Sequence, residues 1–253
     1  MLHPMCNTGN VQSADRALAI LGTFTEGRPQ LRVSELAREL GMHKSTVSRL
    51  LATLEVRGLV RREGDGFLPG SELARLSALA TRGLGLIDAA EEPLARLADT
   101  RGESVNLAVR QGDHALNVHQ VDSTHFVAAA DWRGRLTPLH CTANGKVLLA
   151  FGAGGVPAVL DRLTPRTITG PDLLLAELGR VRALGHARTV EELETGLNAV
   201  AAPVFGPSGD AVAAVSIAGP AYRLPESGLD ALGQSCVATA DEVSTRFGYR
   251  RAA

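Results

Sequence analysis

Apolar positions change period along the chain, and the changes divide it into parts. Up to about residue 70 the period is helical. Ala17, Ile20, Leu21 and Phe24 recur at i, i+3, i+4 and i+7, one stripe of a first helix. Ser34 stands at an N-cap position, Leu36, Ala37 and Leu40 follow as a short stripe, and Gly41 tolerates the positive φ of a helix end. Val47, Leu50, Leu51 and Leu54 then make a complete apolar face for a third helix, which Gly58 closes. Leu59 to Arg62, the turn Glu63-Gly64-Asp65-Gly66 and the pair Phe67-Leu68 read as a hairpin with arginines on its rim.

The polar face of the third helix turns a small bundle into a candidate reader of DNA. At 100° per residue, Ser45, Ser48, Arg49 and Thr53 lie opposite the apolar stripe, with His43 and Lys44 at the helix entrance. His43 to Arg49, Thr46 included, is the segment expected to enter the major groove, where such side chains meet base edges and phosphates. Arg57, Arg61 and Arg62 are expected on the phosphate backbone, with Ser34 at the start of the second helix counted among the contacts. Arg28 and Arg32 fit phosphate contact and a solvated surface equally. Stripe, turn, polar face and basic rim agree on a winged helix-turn-helix over residues 13 to 71.

Beyond it, Leu73, Leu76 and Ala80 carry a helical stripe up to Gly83 and Gly85, a helical linker over residues 72 to 87. Ile87, Ala90, Leu94, Leu97 and Ala98 continue as one helix or two, since Pro93 fits a first turn or a kink. From Ser104 the period is two. Val105, Leu107 and Val109 alternate with Asn106, Ala108 and Arg110, Gln111-Gly112-Asp113 turns the chain, and Leu116, Val118 and Val121 form the next strand. Residues 126 to 130 read as a third strand; 143 to 151, 156 to 163 and 173 to 184 as helices; 197 to 204 and 211 to 218 as strands about the turn at 206 to 210. Leu229, Leu232, Cys236, Ala240, Val243 and Phe247 mark a last helix. Hairpin strands with helices outside them give an α+β unit around an antiparallel sheet. Residues 1 to 12 have no period and read as a disordered arm.

Composition adjusts this picture in three places. The 253 residues, 45% hydrophobic and 21% charged, suit two folded domains. The net charge of −1 looks wrong for a nucleic-acid binder, but residues 11 to 71 hold nine Arg and Lys against seven Asp and Glu, and the remainder 17 against 20. The cationic footprint is therefore local, in Lys44, Arg49, Arg57, Arg61 and Arg62, and an oligomer would multiply its phosphate contacts. Cys6, Cys141 and Cys236 lack CxxC spacing, which disfavours a disulfide framework or a zinc site. The absence of any apolar run of 18 residues or of a signal-like start leads to the expectation of a cytoplasmic protein without a membrane partner.

Candidate chemistry is mostly excluded. Asn144-Gly145-Lys146 is no phosphate loop, because His140 stands where the first glycine belongs and Val147 follows the lysine. His140 and Cys141 are neighbours in an extended stretch and point to opposite sides, so no nucleophile pair forms there. His114, His119 and His125 lack metal-ligand spacing. No catalytic residue, metal or cofactor is expected.

The winged segment, followed by RGRLTPLHCTANGKVLLA (133 to 150) and EELETGLNAVAAPVFGPSGDAVAAVSIAGP (191 to 220), resembles the isocitrate-lyase-regulator (IclR) family of bacterial transcription factors over about residues 11 to 248. The resemblance implies a GAF-like effector-binding and oligomerisation domain over residues 88 to 249. It implies a homodimer or dimer of dimers on a double-stranded operator, with DNA affinity or RNA polymerase recruitment altered by a small molecule. It also implies an effector pocket built from Leu139, His140, Cys141, Thr142, Ala143, Asn144 and Gly145, from Ser216 and Ala218, and from Glu192 and the stretch Leu197 to Ala201 that includes Ala199. Ala218 departs from the second serine of some relatives. The residues add a physical case of their own: Thr142, Ala143 and Asn144 precede a helix whose free N–H groups attract a carboxylate, which points to a small organic acid. Gly145 would permit close approach of that ligand, and Trp132 is a candidate cover for the pocket, for a dimer face, or a core residue. Two other readings compete: a regulator whose second domain only dimerises, and an enzyme or sensor using that domain catalytically.

Overall fold

The computed structural model describes residues 11–25, 28–76, 85–125 and 130–250. The chain divides into two compact units, residues 1–83 and 84–253.

The first unit holds α1 (Gln12–Leu21), α2 (Val33–Glu39), α3 (Lys44–Val56) and the hairpin β1 (Val60–Glu63) and β2 (Gly66–Pro69). Ile20, Leu31, Leu36, Val47, Leu51, Leu54, Val60 and Phe67 meet in one core, so the stripes read from the sequence do face each other. Past α2, Gly41 takes φ 62° and the Met42 N–H reaches back to the Ala37 carbonyl at 2.9 Å, a closure that glycine makes cheap. Phe24 lies beyond the end of α1 yet packs half-buried on the core. Ser34 does not cap α2; Arg32 occupies the cap position and Ser34 is the second helical residue. The cause is upstream: Leu31 is tied to Phe67 by two backbone hydrogen bonds of 2.9 Å, and the chain turns into helix directly after that bridge. Gln12 is already helical, while residues 1–10 of the expected arm, and Cys6 with them, lie outside the described residues.

In the second unit, α4 (Leu86–Arg101) is a single helix running through Pro93. The strands are β3 (Ser104–Gln111), β4 (His114–Val121), β5 (Leu136–Pro138), β6 (Ala187–Val190), β7 (Leu197–Phe205) and β8 (Ala211–Pro220). They form one antiparallel sheet in the order β5-β4-β3-β8-β7-β6. The helices are α5 (Ala143–Phe151), α6 (Pro171–Leu184) and α7 (Leu229–Arg246). Residues 71–76 are helical, but Ala80 and Gly83 of the expected linker lie outside the described residues. So do residues 126–129 of the expected third strand, and Ala130 is not in a strand.

Residues 156–163, read as a helix, are not helical. Val156 and Leu160 pack instead on the layer of α5 and α6, and the Asp161 carbonyl accepts from His140 Nε2 at 2.9 Å. An eight-residue helix has little stability of its own, so tertiary contacts decide its conformation.

Which face of the sheet meets which helices positions the site. Val105, Leu107, Val200, Val204, Val215 and Ile217 project into a core with α4 and α7. The alternate positions, Ala108, Ala201 and Ala214 among them, project toward α5 and α6. One face is branched and tightly filled. The other carries alanine and short polar side chains, which leaves room under the start of α5. Among the described residues no helix is long and apolar enough to cross a membrane.

Candidate nucleic-acid interface and ligand pocket

On the first unit, His43, Lys44, Ser45, Ser48, Arg49 and Thr53 are exposed along α3 and Thr46 is half-buried. His43 caps the helix: its Nδ1 accepts from the Ser45 backbone N–H at 3.3 Å and lies 2.7 Å from the Ser45 hydroxyl. That bond fixes the entrance of α3 with Lys44 and Arg49 projecting into solvent. Arg57, Arg61 and Arg62 are exposed around the hairpin; Arg62 stacks over the Phe67 ring at 4.8 Å and Arg61 pairs with Glu63. Arg28 is engaged by Glu35 and Glu39, and Arg32 by Asp65 at 2.9 Å. Those two arginines brace α2 and the hairpin tip. Ser34 is exposed on α2.

On the second unit, a cavity with about 460 Å³ of empty space, part of it open to solvent, lies between the small-residue face of the sheet and the N-terminus of α5. Ser216 and Ala218 of β8, Ala199 and Leu197 of β7, Asn106 of β3 and Asn117 of β4 line the sheet side. The cross-strand register sets Asn106 opposite Ser216 and Ala199 opposite Ala218. Thr142, Ala143 and Asn144 form the helix side, and Trp132 lines it with Arg135 stacked 5.6 Å from its ring. Thr142 caps α5, its Oγ1 accepting the Gly145 N–H at 3.1 Å and donating to the Pro138 carbonyl at 2.8 Å. The N–H groups of Ala143 and Asn144, first in the helix, stand outside its hydrogen-bond ladder and carry the positive end of its dipole.

Seven of the sequence-derived pocket residues therefore meet in one cavity: Thr142, Ala143, Asn144, Leu197, Ala199, Ser216 and Ala218. Five do not line it. Leu139 is core, and Gly145 packs against it: a Cβ there would sit 2.2 Å from the Leu139 carbonyl oxygen, so the glycine serves chain packing rather than ligand approach. His140 is turned to the Asp161 carbonyl. Cys141 is buried, its thiol pushed up to about 12 by burial. Glu192 bonds Lys146 Nζ at 2.6 Å inside the protein.

Asn106, Asn117, Thr137, Thr189 and Leu193 line the cavity and were not singled out. The available signal was Asn106, a polar residue alternating with apolar ones. It reads as an outward face, but here both faces of β3 are covered by helices. Among the described residues no cluster of three metal-type ligands exists.

The two units carry matching family signatures. The model of the bacterial transcriptional regulator IclR C-terminal domain matches residues 78–245, and the IclR helix-turn-helix domain matches residues 13–64. The chain belongs to the IclR family of bacterial transcriptional regulators. It is 31% identical to the HTH-type transcriptional regulator BhcR of Paracoccus denitrificans over 97% of this chain and 90% of that protein. The crystal structure of Thermotoga maritima IclR superposes with a TM-score of 0.72 at 28% identity, covering 95% of this chain and 100% of that one. An IclR homologue from Microbacterium hydrocarbonoxydans, crystallised with 4-hydroxybenzoate, shares the fold at a TM-score of 0.82 and 22% identity, covering 93% of this chain and 98% of that one. In this IclR-family chain the winged unit is thus the family's helix-turn-helix, and the cavity lies in its C-terminal domain.

Proposed function

We propose that this chain is an operator-binding transcriptional regulator, with no chemistry of its own, whose DNA affinity responds to a small organic acid held at the N-terminus of α5. The observation that carries the reading is a capped helix start, with two N–H groups outside the ladder, facing a partly open cavity lined by Asn106, Asn117 and Ser216 in a chain that also exposes a basic α3 face. The ligand in the Microbacterium homologue, a carboxylic acid, supports the same class. The protein acts in the cytoplasm as a homodimer or dimer of dimers on a palindromic or repeated operator, and RNA polymerase is a further partner. His43 to Arg49 read bases, and Arg57, Arg61 and Arg62 hold phosphate.

Fluorescence anisotropy of DNA from the gene's own upstream region, titrated with protein at fixed salt, tests this. Arg49→Ala should weaken binding by about 1–3 kcal/mol, the worth of one bidentate base contact. Organic acids that raise the melting temperature should also shift the DNA titration. An unchanged Arg49→Ala titration would remove the assigned role of α3, and turnover of any acid by the protein would overturn the non-enzymatic reading.

A further inference from the structure

The cavity holds an unmet hydrogen-bonding demand of one kind. Asn106 is 2% exposed and Asn144 8%, and each has a side-chain oxygen, Oδ1, that is buried without a partner. The orientation of Asn144 follows from its neighbours. Asn117 Nδ2 donates to the Arg135 carbonyl at 3.4 Å, which leaves Asn117 Oδ1 to accept from Asn144 Nδ2, also at 3.4 Å. Asn144 is thereby committed to presenting its oxygen. Asn106 stands beside Ser216 on the sheet side, so an acceptor and a hydroxyl lie together there. Among the described residues that line the cavity, none is charged.

Among the described lining residues, the α5 N-terminus is what offers a carboxylate its counter-charge. The rest of the ligand meets Asn106, Asn144 and the hydroxyls of Thr137, Thr189 and Ser216, and the two unpartnered amide oxygens need donors. A keto oxygen, a methylene chain or an aromatic edge supplies none, whereas hydroxyl groups do. A buried acceptor left without a donor is costly, and a site built that way discriminates strongly against a ligand that lacks the hydroxyl.

We propose that the pocket selects a small polyhydroxylated carboxylic acid, its carboxylate on the Ala143 and Asn144 N–H groups and its hydroxyls donating to Asn106 Oδ1 and Asn144 Oδ1. The proposal rests on the organic-acid reading of the same site and narrows it. Asn106 and Asn144 are then its specificity-determining residues.

Calorimetric titration of the full chain decides it. The probes are threonate, erythronate, xylonate, gluconate and galactonate, each paired with its deoxygenated counterpart (butanoate, pentanoate or hexanoate) and with the matching polyol, and benzoate as an acid without hydroxyls. The expected result is that the tightest polyhydroxy acid exceeds its deoxygenated counterpart by roughly tenfold or more. Asn106→Leu, with an unchanged circular dichroism spectrum, should abolish most of that ratio; if this variant fails to fold, the paired comparison on the unaltered chain still decides. Benzoate or a deoxygenated acid binding as tightly as any hydroxylated one would overturn hydroxyl selection while leaving the organic-acid reading standing. Polyols binding as tightly as the acids would overturn the carboxylate contact, and no binding by any probe would overturn both readings.

Discussion

Lys146 is fully buried on α5, a position its apolar neighbours Val147, Leu148 and Leu149 would suit. Its Nζ lies 2.6 Å from Glu192 Oε1 and 3.3 Å from Glu177 Oε1 and the Arg188 carbonyl. Burial pushes the Glu192 carboxyl above its usual range against the opposing charge of Lys146, and Glu177 adds to the rise. Lys146→Met leaves the buried Glu192 carboxylate without its cationic partner, while Glu177 keeps its pairing with Arg180, and should cost about 3–5 kcal/mol at neutral pH. In that variant the folded Glu192 holds its proton to still higher pH than the unfolded chain does. The penalty is therefore absent below the ordinary Glu value, grows as pH rises, and is complete above the raised folded value. Urea unfolding of both forms at about pH 5 and pH 8 checks this, with the smaller difference expected at the acid end. None of it was legible in the sequence, where 31 and 46 positions separate the partners and the lysine stood out only as a failed phosphate loop. Of the cysteines, Cys236 was legible in the stripe of the last helix and Cys141, expected in the pocket, was not; both are buried, their thiols raised to about 12 by burial. Neither should take up iodoacetamide in the native protein, and both should do so in denaturant, as read by intact mass.

At the scale of elements, long stripes and alternations announced themselves, and short or context-held segments did not. α3 and α7 carry helical stripes over 13 and 18 residues, whereas α5, buried on every side from Ala143 to Ala150, and the strands β7 and β8 show as apolar runs of nine residues or more. β5 and β6, with three and four residues, are too short to show one and exist because neighbouring strands offer an edge. The start of α5 depends on a contact that no period encodes: Gly145 Cα approaches the Leu139 backbone so closely that an added Cβ would lie 2.2 Å from its oxygen and 2.3 Å from its Cα. Those are backbone atoms, which no side-chain rotation can relieve. Gly145→Ala should therefore shift the first turn of α5 and destabilise the unit by about 1–3 kcal/mol. Acid binding should fall further than stability does, since the Ala143 and Asn144 N–H groups move with that turn. Thermal melts with and without ligand separate the two effects, and an unaltered melting temperature would mean the backbone can yield at no cost.

For the whole molecule, a net charge of −1 leaves no general attraction to DNA, so affinity has to come from where the cations stand. Arg28 and Arg32 are held by acidic partners at the hairpin and α2, and Arg61 is shared with Glu63. Lys44, Arg49, Arg57 and Arg62 are exposed and make no ion pair among the described residues. Each phosphate neutralised by such a side chain adds about 0.9 to the slope of log affinity against log salt. Arg57→Ala and Arg62→Ala should thus each flatten that slope by about one and weaken binding to all DNA sequences alike. Arg49→Ala should instead narrow the gap between the operator and a scrambled duplex, because a base contact carries sequence information and a phosphate contact does not. Anisotropy titrations across a potassium chloride series, with both duplexes, resolve these signatures. If Arg62→Ala narrowed the gap between duplexes and left the slope intact, the hairpin would be reading bases, and the division of labour between α3 and the wing would have to be reversed.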